Sequence, residues 1–428
     1  MKVDSYRLAG YLLVSMILFS ILHKFNPEVP LIMSGLCGWT ALFFLSKKLA
    51  KQQLILFSIL STSGLVCVLW AQERGVTTDI SSIINKNYLL LSLFVGVSFL
   101  RLVTLPNSEN NERVPKGKKS FIRTLIGTHI FSAVINLSAV MIVAEYLNPK
   151  KKPDHLLAIL LSRAYGAAAF WSPFFAAMAT ALTYSPQASL GKIIIMGLPL
   201  SIAGFFITLY SLNNRDNKLE TFTGYPLHFS ALWIPGLLAI CVLFINYNFP
   251  NISILVVITF LSILITLIVL FISKPREIIS ILDHHIVTAL PGMANELGLF
   301  LSAGVLAVGL SSVLSSYHYI PEFTNLGPLL MISLLLIMVV LAFFGIHPVI
   351  TIAIVGAWLE PLHLDPDLLA LVFVFAWGLG ITISPLSGLN LVLQGRFGVS
   401  GSGMVKWNAL YSVHMMIVAS FLLWLYSQ

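Results

Sequence analysis

The chain has 428 residues, 57% of them hydrophobic and only 10% charged, with 25 Lys and Arg against 17 Asp and Glu for a formal net charge of +8. Mean hydropathy is +0.91. A soluble domain carries about a quarter charged residues, so composition sets aside soluble enzymes and nucleic-acid binders and leaves an all-α, polytopic membrane protein. The excess positive charge lies mainly in loops, where it suits contact with anionic headgroups of the bilayer.

Apolar windows of about 20 residues, each long enough for a hydrocarbon core of roughly 30 Å, recur along the chain. The first, residues 8–24, lacks a small-residue cleavage site and reads as a retained span. Spans follow at 30–46, 53–71 and 87–104. Cys37, Cys67 and Cys241 fall inside apolar windows without a C-x-x-C pairing, so they read as buried thiols, and no cofactor or metal is expected. A polar, basic loop, PNSENNERVPKGKKSFIR, then closes the first group of spans.

Next come a span at 124–147, a distinctive segment at 156–184, and spans at 192–212, 226–247 and 251–273. Residues 277–290, EIISILDHHIVTAL, gather polar groups on one side of a helical period and are expected to lie in the interface. Asp283, His284, His285 and Glu296 match no tight metal spacing. Spans at 293–313, 326–344 and 345–361 lead to a second distinctive segment at 368–393 and a last span at 404–427. GRFGVSGSG, residues 395–403, follows no strand and reads as a flexible connector, not a phosphate loop.

Lys2, Arg7, Lys47, Lys48, Lys51, Arg113, Lys116, Lys118, Lys119 and Arg123 fall on one side, against Lys24, Arg74, Lys86 and the run Lys150, Lys151 and Lys152 on the other. The imbalance favours a cytoplasmic N-terminus in the inner (plasma) membrane of a bacterium, with the Lys150 run arguing the other way.

The two distinctive segments are copies of one another. LLAILLSRAYGAAAFWSP (156–173) aligns without gaps to LLALVFVFAWGLGITISP (368–385) at an offset of 212 residues. Leu156, Leu157, Ala158, Ala164, Gly166, Ser172 and Pro173 recur as Leu368, Leu369, Ala370, Ala376, Gly378, Ser384 and Pro385, where roughly one or two identities would arise by chance. Tyr165 faces Trp377 as an aromatic match, and Gly127 to His129 is echoed by Gly345 to His347. An internal repeat accounts for this, read as inverted. An inverted pair of hairpins needs an odd number of crossings between them, yet six candidate spans intervene. Either residues 326–361 are not two full spans or another window lies in the interface.

Proline removes a backbone donor and clashes with the preceding turn, so each helix must break at its Ser-Pro. In lipid a broken backbone is tolerated only when buried in protein or lining a wet cavity, and duplicated breaks at membrane depth mark a transport site. Each segment is therefore expected to be a re-entrant helical hairpin with its tip at Ser172-Pro173 or Ser384-Pro385. An ordinary Pro-kinked helix is the alternative.

SRAYGAAAFWSPFFAAM (162–178) resembles the first signature of the ion transporter superfamily, which in the divalent-anion/sodium symporters is Ser-Asn-Thr followed by small residues and a proline. TISPLSGLNLVL (382–393) resembles the Thr-Pro-Ile-Gly-Ser-Leu turn of the arsenite permeases. The resemblance covers two segments of about 25 residues and implies a homodimer of two-domain protomers. In each, a scaffold domain would stand still while a transport domain with two hairpins slides as an elevator. It places substrate contacts at Ser162 and at Thr382, Ser384, Pro385, Ser387 and Gly388. The matched Tyr165, Gly166, Ser172 and Pro173, and Asn390 beside the second tip, complete the set. Arg163 and Ala164 stand where sodium-coupled members carry Asn and Thr, which removes oxygen ligands for sodium.

On this reading residues 1–120 are scaffold spans with the basic loop, 121–212 the first repeat, 213–325 connecting scaffold with the interfacial helix, and 326–428 the second repeat. Arg163 is expected to hold an anionic substrate by a bidentate contact, or else to snorkel or pair with Glu145. His129 and His347, at matching places, are candidates for proton coupling or for capping a neighbouring helix, and H+ or Na+ is the expected coupling ion. Asn136 shares a helix face with His129. The expected function is secondary active transport of a small anionic organic solute, without enzymatic activity. The alternatives are an exporter or flippase of an anionic lipid-linked headgroup, or a membrane-embedded transferase.

Overall fold

The computed structural model describes residues 2–104, 116–148, 154–213, 219–225, 233–317, 327–362 and 364–428. Most of the basic loop, with Arg113, and the Lys150 to Lys152 run lie outside the described residues. Among the described residues every regular element is helical, apart from an isolated bridge between Lys116 and Thr223. Among the described residues eight helices are long and apolar enough to cross a bilayer. The protein is a polytopic all-α membrane protein.

In chain order the helices are α1 (Lys2–Phe25), α2 (Ile32–Leu45), α3 (Lys51–Glu73), α4 (Ile80–Asn85), α5 (Tyr88–Phe99) and α6 (Arg101–Thr104). There follow α7 (Lys118–Ile135), α8 (Leu137–Leu147), α9 (His155–Ala169), α10 (Ala176–Tyr184) and α11 (Leu190–Asn213). The chain continues through α12 (Trp233–Asn248), α13 (Ile254–Ser273), α14 (Ile278–His284) and α15 (Ala294–Tyr317). It ends in α16 (Pro328–Phe343), α17 (Pro348–Leu359), α18 (Pro366–Ile383), α19 (Gly388–Phe397) and α20 (Gly401–Tyr426). These divide into two compact units. One comprises Met1–Val103, Leu237–Glu322 and Ile352–Leu364, and the other Thr104–Gly236, Phe323–Thr351 and Asp365–Gln428.

In the first unit the helix expected in the interface at 277–290 is continuous with the span that follows it. Residues 278–317 form one helical run of 40 residues, with a π-turn at His285–Ala289. That turn brings His285 inward, 4% exposed, where its Nε2 lies 3.0 Å from the Ser98 hydroxyl and its ring packs on Phe99. An extra residue in one turn re-aims the side chains after it, and a plain helical period does not register this.

Two sets of five helices follow one order, α7 to α11 and α16 to α20, with short helices second and fourth in each; they belong to the second unit except for α17 from Ile352 onward, which belongs to the first. Residues 124–147, expected as one span, break at Asn136, whose φ is 51°. The chain folds back there. Tyr146, near the end of α8, packs its ring 5.0 Å from Tyr225, whose amide donates to Thr124 Oγ1 at 2.9 Å, early in α7. The helical hairpin is thus α7–α8.

The segment 156–184 does not fold back. As its numbers rise its partners on α18 fall: Gly166 lies against Thr382, Phe170 against Gly378, and the Ser185 hydroxyl donates to the Pro366 carbonyl at 2.7 Å. It is a through-going helix interrupted between Ala169 and Ala176, running antiparallel to α18, as an inverted repeat requires. The re-entrant hairpin expected at 156–184 is therefore displaced one element upstream. The corresponding segment 368–393 is likewise two helices, α18 and α19, parted at Ser384–Ser387.

Within the described part of the expected spans 326–344 and 345–361, α16 and α17 have 16 and 12 residues, about 24 and 18 Å, each shorter than the roughly 30 Å hydrocarbon core. Between the two interrupted helices, α11, α13 and the 278–317 run are long enough to cross, while α12 has 16 residues like α16; the opposite sense of the two interrupted helices rests on their antiparallel contacts. The glycine-rich connector is ordered. Gly398, at φ 65°, caps α19, and the Ser400 hydroxyl caps α20 by accepting from the Gly403 amide.

Candidate functional site

The site is built where α9 crosses α18. The repeat-matched Gly166 and Gly378 face each other there, and a Cβ on either would overlap the other helix. On Gly166 it would collide with Thr382 Cγ2, and on Gly378 with the Phe170 ring. Phe170 and Thr382 are themselves repeat partners, so the contacts are reciprocal. The crossing is tight because both residues are glycine, and Phe170 and Thr382 are each 1% exposed.

The breaks lie on either side of this crossing, and each meets a tip from a preceding pair. At the first, Asn136 Nδ2 donates to the Phe174 carbonyl at 3.2 Å. At the second, Gly345 (φ 94°) packs on Leu386. Phe174 and Leu386 are again repeat partners, each following its proline.

Freed carbonyls at membrane depth need donors, and the side chains supply them. At the first break Ser172 Oγ donates to the Ala133 carbonyl and accepts from the Phe174 amide, and Ser201 Oγ donates to Ala167 at 2.6 Å. Pro173 places the chain out of helix between them. At the second, Ser387 Oγ donates to Ile381 at 2.9 Å, Asn390 Nδ2 to Ser384 at 2.8 Å, and Gln394 Nε2 to Pro385 at 2.7 Å. Ser384, Ser387 and Asn390 are no more than 1% exposed, and Asn390 Oδ1 has no hydrogen-bond partner. Gly388 opens α19 in free space. The Tyr165 ring packs at a tilt against Phe175, with ring centroids 4.8 Å apart.

Arg163 lies on α9 beside the second break, not the first, sharing Asn408 with the Thr382 carbonyl. It is 3% exposed. Its Nε donates to Asn408 Oδ1 at 3.1 Å, one Nη to Ser211 Oγ at 2.9 Å and the other to the Trp407 carbonyl at 3.0 Å, with the guanidinium 4.4 Å over the Tyr411 ring. These contacts hold it against α11 and α20. Glu145, its expected alternative partner, pairs instead with Arg396 at 2.5 Å. Ser162 Oγ donates to the Ile159 carbonyl and accepts from Asn408 Nδ2.

His129 is engaged at both ring nitrogens. The Trp171 indole donates to Nε2 at 3.0 Å, which leaves Nδ1 to donate to the Ala164 carbonyl at 3.2 Å. This fixes a neutral tautomer that braces α7 on α9. His347 Nδ1 accepts from the Val349 amide at 3.2 Å, capping α17, and its ring meets Trp377 edge-on at 5.3 Å.

Helices α8, α10, α17 and α19 all begin at a tip or break, and none has an acidic residue in its first turn. Their N-terminal partial charges are unopposed. Sequence reasoning missed Asn408, Asn136 as a hinge, and Gln394. Asn408 carried no signal, being an ordinary Asn in the final span.

No protein-family profile matches the chain. No curated protein matches it either. A solved structure of the Alcanivorax borkumensis YdaH transporter, described as having an unusual topology, is similar over 86% of this chain and 84% of that one, at 12% identity and a TM-score of 0.46. At that identity and score the likeness transfers neither residue roles nor cargo.

Proposed function

We propose that the protein is a secondary active transporter of a small anionic organic solute. The observation that carries this reading is the pair of buried backbone breaks, at Ser172-Pro173 and Ser384-Pro385, set on antiparallel helices about one glycine crossing. Interrupted helices of opposite sense near the midplane are the usual means of holding a solute in a membrane. The anionic preference rests on the four helix N-termini gathered at tips and breaks without an acidic first-turn residue, which favour negative charge. The resemblance of both break sequences to ion transporter signatures points the same way.

On this reading the second unit carries the cargo by an elevator motion, and the first is the stationary scaffold of a homodimer. The cargo touches the exposed parts of the breaks, and a gradient of H+ or Na+ drives it. Arg163 serves the geometry of the second break. Uptake of radiolabelled organic acids into proteoliposomes, with proton and sodium gradients imposed separately, tests the proposal. Saturable, gradient-dependent accumulation of an organic anion is expected. Movement only of fluorescent anionic lipids in the same vesicles would replace it with a flippase.

A further inference from the structure

We propose that Asn408 is a positioning residue that fixes the second break against α9. The inference rests on the transport reading only for what the break carries; the placement itself stands on hydrogen-bond accounting. Where α18 ends, Ser384 N donates to the Gly380 carbonyl at 2.8 Å, and Ile381, Ser384 and Pro385 receive donors from Ser387, Asn390 and Gln394. All of these belong to the α18–α19 segment. The Thr382 carbonyl is different: its donor is Asn408 Nδ2, 3.1 Å away on α20.

The same amide reaches α9. Its Nδ2 donates to Ser162 Oγ at 3.2 Å, and its Oδ1 accepts from Arg163 Nε at 3.1 Å. Asn408 is 0% exposed. Its orientation is fixed chemically, because a guanidinium can only donate and a carbonyl can only accept. One side chain therefore ties the broken end of one repeat's helix to the opposing helix of the other. Nothing equivalent to Arg163 exists at the first break, where its repeat partner Phe375 meets Phe170 edge-on with centroids 6.0 Å apart.

This arrangement separates positioning from packing. Asn408→Asp keeps shape and gives Arg163 an ionic partner, but turns an acceptor toward the Thr382 carbonyl. Asn408→Leu removes both links. The test measures amide hydrogen exchange of residues 381–391 in nanodiscs, alongside uptake kinetics. In Asn408→Asp, exchange there rises about tenfold or more while α13 is unchanged, and the maximal uptake rate falls about tenfold with little change in KM. Asn408→Leu, where it folds, shows the same exchange signature. Wild-type exchange and uptake in a folded Asn408→Asp protein overturn the inference. Faster exchange in a protein that moves no solute tested supports the placement and counts against the transport reading alone.

Discussion

Arg163 shows what a residue's identity reveals and what it hides. A guanidinium in an apolar run costs at least about 2.5 kcal/mol at the bilayer centre unless it is paired or hydrated, so its importance was legible at once. Its acceptors were not, because Ser211, Trp407 and Asn408 lie 48 to 245 residues further along the chain with no spacing rule to connect them. The planar fork serves three separate acceptors, and an ammonium cannot take that geometry. Arg163→Lys should therefore lower stability by about 1–3 kcal/mol, read as a fall in the thermal midpoint in detergent. A change in solute KM at unchanged stability would restore the direct anion contact. His129 was legible as a costly buried group, but its role depends on Trp171 and Ala164. A glutamine can both donate and accept, so His129→Gln should retain gradient-driven uptake in proteoliposomes. Loss of proton coupling in a folded His129→Gln protein would identify a relay instead.

At the scale of elements, the repeat was readable because glycine, serine and proline recur where the backbone demands them. Gly166 and Gly378 align by sequence and meet in space. The position of the hairpin was not readable, because its turn is made by Asn136 alone within an apolar window. A single asparagine at positive φ leaves no mark in hydropathy. Through-going and folded-back segments also look alike in composition, since both carry a break at the same depth. The crossing yields a contrast between two glycines on neighbouring helices. Gly378→Val must displace the Phe170 ring and should cost about 1–3 kcal/mol or more, whereas Gly388→Ala meets nothing within 4 Å and should change stability by less than about 0.5 kcal/mol. Thermal unfolding of the two variants side by side measures the difference.

For the whole molecule, composition alone gave the class, and the eight long apolar helices bear it out. Charge gave less, since much of the basic loop and the Lys150 run fall outside the described residues. The split into two units, each made of separate stretches of chain, depends on long-range packing that no local pattern reports. Uptake assays depend on choosing the right cargo, but the central claim that broken backbone lines a wet path does not. In a background with Cys37, Cys67 and Cys241 replaced, cysteines are placed singly at Leu386, which is 46% exposed at the second break, and at Phe206, which is 69% exposed on α11. Both proteins are labelled in the membrane with a thiol reagent that reacts only in water. Labelling of Leu386→Cys together with silence at Phe206→Cys is the predicted result. Equal silence at both positions in folded protein would mean that the break faces lipid or is sealed, and would contradict the account.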